Sequence, residues 1–165
     1  MHNKSLVRDF VKRAEKRLLA VDLLFREQSW ADVVRESQEV VELALKALLR
    51  HCDVEVPRIH DVSGALDQER GRLPAPAAAE VEYLINVSRT LRRDRELSFC
   101  GSEDLTPSEF YTKADAAAAL EMARRTHALV AASVGKFRDV ALTAPAASSG
   151  TSEAPPTPSR SRRRR

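Results

Sequence analysis

The chain reads as an all-α protein: an antiparallel four-helix bundle with one additional short helix and a disordered C-terminal tail. Three observations lead there. Ala, Leu, Glu, Arg and Lys dominate the 165 residues, aromatics are 5% and only 5 glycines are present, which is helix-forming chemistry. Apolar residues recur at spacings of three and four over several long stretches. Cap-type residues stand at the starts of those stretches.

The first helix is expected over about Ser5 to Gln28, with Leu6, Phe10, Ala14, Leu18, Val21 and Phe25 on one stripe. Ser29-Trp30-Ala31-Asp32 starts the second as a capping-box variant with a shorter acid. Its stripe is Val33, Ser37, Val40, Val41, Ala44, Leu45 and Leu48. A third, short helix is expected over about Asp61 to Arg70, with Gly71 as its C-terminal cap. Pro74 and Pro76 suit the start of a fourth, where a missing N–H costs little, with Val81, Leu84, Ile85, Ser88 and Leu91 facing inward and Gly101 just past its end.

Thr106-Pro107-Ser108-Glu109 predicts one isolated turn, and Thr112-Lys113-Ala114-Asp115 caps a fifth helix. The stripe of that helix is Ala116, Leu120, Ala123, His127, Val130 and Val134, with His127 read as a packed, hydrogen-bonded core residue.

Residues 1–138 form the expected domain and 139–165 the tail. From Ala141 onward Ala, Pro, Ser, Thr and Arg prevail. Such a segment buries too little apolar area to offset its ordering entropy. The net charge of +3 comes from the tail, which carries five arginines against Asp139 and Glu153, leaving 22 basic and 22 acidic residues in 1–138. The basic pI is therefore no argument that the folded part binds nucleic acid. Arg160 and Arg162–Arg165 could touch RNA, DNA or an acidic partner through charge alone. No apolar run reaches the roughly 18 residues of a membrane span, and the N-terminal residues lack the apolar core of a secretory signal. Cys52 and Cys100, far from any metal-type spacing, suit reduced thiols in a cytoplasmic protein. There is no Gly-rich phosphate loop, paired-carboxylate signature, Cys/His metal spacing or nucleophile elbow, so no cofactor and no metal are expected.

Four segments in order resemble one family. Val40–Leu49 (VVELALKALL) is similar to its "A…E.ALKALL" helix, and His60-Asp61-Val62 to its "H-D-L" at the start of a short helix. Leu91–Gly101 is similar to an "L…R…YG" helix end, and Tyr111-Thr112 with Ala114-Asp115-Ala116 to a "Y-T…D-A" start of the last helix. The chain thereby resembles the HEPN domain, a helical bundle of nucleotide-handling systems. The resemblance implies a homodimer that binds a nucleotide, RNA or a protein partner, such as a small nucleotidyltransferase in a toxin–antitoxin-type system.

The family's ribonuclease members place an arginine five to seven positions before a histidine, arginine to neutralise the scissile phosphate and histidine to move the proton of the 2′-hydroxyl. No arginine stands there before His51, His60 or His127. A non-enzymatic binding module is therefore the favoured reading. The alternative is a metal-independent RNase using His60 with Arg58 or Arg95.

The candidate ligand-binding residues are Glu42, Lys46, His60, Asp61, Arg92 and Arg95. Each also has a plain reading. Glu42 and Lys46 at i, i+4 would form a solvated pair worth roughly 0.3–0.5 kcal/mol. Asp61 would cap the short helix while His60 bonds locally. Arg89, Arg92 and Arg93 would offset the dipole at a helix C-terminus, or else offer guanidinium forks to phosphate.

Overall fold

The computed structural model describes residues 2–56, 60–100 and 106–135, with side chains at 4–56, 60–94 and 106–135. Arg58 and the predicted tail lie outside the described residues, and of Arg95 only the backbone is described.

Four long helices carry the fold: α1 (His2–Arg26), α2 (Trp30–His51), α5 (Val81–Cys100) and α7 (Lys113–Val134). Between them lie the short α3 (Ser63–Gln68), α4 (Ala75–Ala79) and α6 (Pro107–Phe110). No strand occurs among the described residues.

The bundle is arranged around α2, which packs on α1, α5 and α7, whereas α5 and α7 barely meet. Fourteen of its 22 residues are buried. The predicted stripe is all inside, and so are Val34, Gln38, Glu42, Leu43, Ala47 and Leu49 on the flanks. A helix that is buried almost all round belongs at the centre of a core. On α1 the buried positions are Val7, Ala14 and Val21, Val7 taking the place expected of Leu6, with Phe10, Leu18 and Phe25 packed at the edge. Phe25 meets Trp30 edge-to-face, with centroids 5.2 Å apart, across the turn from α1 to α2.

Helix ends differ from expectation in several places. α1 begins at His2, before Ser5, and α3 begins at Ser63 with Val62 as its N-cap, two residues after Asp61. Ser29 makes no backbone cap; its Oγ donates to Asp32 Oδ2 at 2.6 Å instead. Gly71 does not cap α3, which ends at Gln68, but sits inside a 3-10 turn, Arg70–Arg72. The expected fourth helix breaks at Glu80 (φ −117°) into α4 and α5, with Pro76 in the first turn of α4. Left-handed backbone is supplied by Gln28 (φ 61°) after α1 and Asp53 (φ 56°) after α2, neither of them glycine, and by Gly135 (φ 82°) after α7. The capping boxes at Thr106/Glu109 and Thr112/Asp115 form as the sequence predicts.

On α7 the buried positions are Ala116, Ala119, Leu120, Ala123, Thr126, Val130 and Val134. His127 is only half-buried, and its Nε2 has no hydrogen-bond partner among the described residues. Thr126 takes the inward place, since a spacing of three from Ala123 and four to Val130 keeps it on the same face, while the other five predicted positions are buried as expected. Tyr111, 6% exposed, donates from its hydroxyl to the Asp94 carbonyl at 2.7 Å and so ties the α6–α7 junction to α5. Burial, with the Asp94 and Asp115 charges, pushes that phenol up to about 12.

The packing sets a contrast that urea unfolding checks. Leu45→Ala, at a fully buried site of α2, should cost roughly 3–5 kcal/mol. Leu19→Ala on α1, where the side chain is 58% exposed, should change stability by less than about 0.5 kcal/mol.

Candidate functional site

The site is built where α2 meets the loop before α3. Glu42 and Lys46 do not form the solvated pair expected of them. The Glu42 side chain is 10% exposed and Lys46 17%, and Lys46 Nζ donates to Glu42 Oε1 at 2.6 Å. The central position of α2 takes the carboxylate out of water, and a buried charge demands partners. Glu42 Oε2 has two: Gln38 Nε2 donates at 3.0 Å from one turn before, and His60 Nδ1 lies 2.9 Å away. A carboxylate only accepts, so the Nδ1 hydrogen belongs on the histidine and Nε2 is the nitrogen able to take a further proton. The His60 side chain is 48% exposed. Its contact with Glu42 reaches 18 residues back along the chain.

Asp61 faces the other way, toward α5. Its Oδ1 accepts from the N–H of Ser63, the first residue of α3, at 2.9 Å and from Ser88 Oγ at 2.9 Å, although the N-cap position is held by Val62 and not by Asp61 as expected. Ser88 Oγ accepts in turn from the Val62 N–H at 3.2 Å, and Arg89 Nε donates to Ser63 Oγ at 3.2 Å. Two adjacent residues thus pin one turn to two helices, His60 to α2 and Asp61 to α5.

Burial alone would raise both carboxyls. For Glu42 it is outweighed by the bonds from Lys46, His60 and Gln38 and by the Lys46 charge, so the net shift is downward. For Asp61 the bonds from Ser63 and Ser88 and the Arg89 charge do the same.

The basic stretch of α5 is placed differently from expectation. The helix runs on to Cys100, so Arg89, Arg92 and Arg93 lie in its middle, and its last turn has no basic residue. They are too far from the final carbonyls to act on that end of the dipole. Arg89 is engaged with Ser63, Arg93 pairs with Asp94, and Arg92 is half-buried. Of the sequence-predicted residues, Glu42, Lys46 and His60 come together, and Asp61 adjoins them on its own network.

Two participants were missed by sequence reading. Gln38 is 2% exposed and its Oε1 is buried without a partner among the described residues. Glu39 has a carboxylate oxygen within 4.8 Å of donor atoms of Glu42 and His60. The available signal for both was helical spacing from Glu42. A cavity of about 510 Å³ between α2, α5, α6 and α7, lined by Val34, Leu91, Arg93, Asp94, Tyr111 and Met122 among others, includes Arg93 of the basic stretch but not Glu42, Lys46, His60, Asp61 or Arg92.

The two lowered carboxyls fix how stability depends on pH. A group whose pKa is lower folded than unfolded stabilises the fold above its unfolded value and loses that contribution as pH falls through the folded one. Glu42 starts from 4.5 and Asp61 from 3.8. The thermal midpoint should fall as pH drops below about 4.5, and Glu42→Gln should flatten part of that slope while lowering stability at neutral pH by roughly 1–3 kcal/mol. Thermal melts across the acid range check both.

Comparison with known proteins agrees with this framework. No curated protein and no solved structure gives a significant match to the chain. The HEPN domain family model matches residues 7–133, from the first turns of α1 to the end of α7. None of the described helices is long and apolar enough to cross a membrane. With most of its length matched, and with the helical order that the quoted segments imply, the chain belongs to the HEPN domain family.

Proposed function

We propose that this HEPN domain is a dimerising module that binds a nucleotide or a protein partner through the His60–Asp61 turn. The observation that carries the reading is the double anchorage of that turn, through Glu42 to α2 and through Ser88 to α5. A half-exposed imidazole held by fixed bonds loses little entropy when a ligand arrives. Lys46 and Arg89 flank the turn with positive charge, the sign that a phosphate group requires. The absence of the arginine-to-histidine spacing favours binding over cleavage. A nucleotidyltransferase-type protein, in a toxin–antitoxin-type pair, is the partner that the family suggests.

Light scattering and calorimetric titration with adenine and guanine nucleotides test this reading. The expected result is a dimer that binds a nucleotide or the co-expressed partner, with His60→Ala weakening binding by at least about tenfold, some 1.4 kcal/mol. A monomer that binds neither would overturn it.

One observation favours a second reading, ribonuclease activity. The Glu42–His60 bond sets the tautomer that leaves Nε2 as a base, as in acid–histidine pairs of proton-transfer sites. Arg58 or Arg95 would then have to supply the phosphate contact. RNA cleavage in the presence of chelator, reduced at least about a hundredfold in His60→Ala, is the expected result on that reading; equal cleavage by both proteins rejects it.

A further inference from the structure

We propose that Glu39, Glu42 and His60 form a binding site for a divalent transition-metal ion of the zinc type. The site shares His60 and Glu42 with the turn described above, but its test needs no nucleotide. One donor atom from each residue lies within 4.8 Å of the other two. Glu39 and Glu42 are three apart on α2, so they share a helix face, and the loop brings the imidazole to them from outside. The 2.9 Å between His60 Nδ1 and Glu42 Oε2 is bridged by a hydrogen. Tetrahedral zinc with bonds of about 2.0–2.1 Å holds its ligand atoms roughly 3.3 Å apart. For the His60–Glu42 pair the ion can therefore take the place of that hydrogen with a shift of a few tenths of an ångström, the imidazole remaining neutral with its hydrogen on Nε2, while the Glu39 carboxylate, within 4.8 Å, has to close in by up to about 1.5 Å through side-chain rotation.

A second observation lies beside this set. The Gln38 amide, 2% exposed, touches Glu42 through Nε2, while its Oε1 is a buried acceptor with no partner among the described residues. Turning the amide would put two oxygens together at Glu42, so the unmet acceptor is a consequence of the carboxylate, and it leaves an unused oxygen on the side chain that adjoins Glu42.

The donor set selects the ion. Two carboxylates and an imidazole suit zinc and its neighbours, whereas calcium takes six to eight oxygens and magnesium a full octahedron. Lys46 sets the strength. Its ammonium occupies Glu42 Oε1, which leaves Oε2 for the ion and places a positive charge close by.

Calorimetric titration of the full chain with zinc chloride, without nucleotide, tests the site. One saturable site is expected, with no magnesium binding at the same concentrations. Glu39→Gln, which spares the Glu42 bonds that hold the loop, should weaken zinc by at least about tenfold, and His60→Ala likewise. Lys46→Met should tighten it by roughly tenfold through loss of the opposing charge. His51→Ala, which removes the histidine at the end of α2 that is not part of the set, should change it less than about twofold. No saturable zinc binding below about 100 µM, or equal binding by the parent and Glu39→Gln, would overturn the proposal.

Discussion

A helix at the centre of a bundle can carry a carboxylate only if its neighbours compensate the charge, and that constraint governs this fold from Glu42 outward. α2 is buried almost all round, so Glu42 has little water to solvate it. Gln38 and Lys46 answer from the same helix by spacing alone, at no cost in loop entropy. His60 must be brought from a separate stretch of chain, and bringing it fixes the path of the loop before α3. Once His60 is placed, Asp61 is directed to α5, where Ser88 and Ser63 receive it. The register between α3 and α5 thus rests on a charge buried in a third helix. An apolar residue at position 42 would pack without complaint, but it would leave the loop with nothing to hold.

How much of this was legible in the sequence follows from the range of each interaction. Stripes, capping boxes and the existence of the four long helices depend on residues three or four apart, and those were readable. Lys46 bonding to Glu42 was readable for the same reason; its burial was not, because burial depends on how many helices surround α2. The split at Glu80 and the 3-10 turn at Gly71 depend on where α4 and α7 settle, as in the Arg125–Glu80 pair at 2.9 Å. The His60–Glu42 and Asp61–Ser88 bonds span 18 and 27 residues, beyond any local pattern. The quoted family segments named both ends of the first bond without saying that they touch.

The arginines illustrate a different lesson. A cluster in sequence suggests a field, yet much of the charge of the described residues is consumed internally. Arg17 and Arg35 bracket Glu36, Arg124 reaches Asp22 between α7 and α1, and Arg125 lies 4.0 Å over the Tyr83 ring. Each such contact is individually weak in water, but together they set the azimuth of each outer helix about α2. Little of the charge on these helices is left to generate a long-range potential, in keeping with the balance of 22 against 22 over residues 1–138.

The central placement of α2 has a consequence for how such a chain can drift over evolutionary time. Substitutions in α2 must satisfy three packing partners at once, while the outer surface of α1, where Leu19 and Leu23 stand exposed, answers to none. Invariance along α2 would therefore report packing at most positions, and at Glu39, Glu42 and Lys46 it would not separate packing from binding. His60 is the more informative position: it is half exposed, so its retention would report its contact with Glu42 or with something outside the chain.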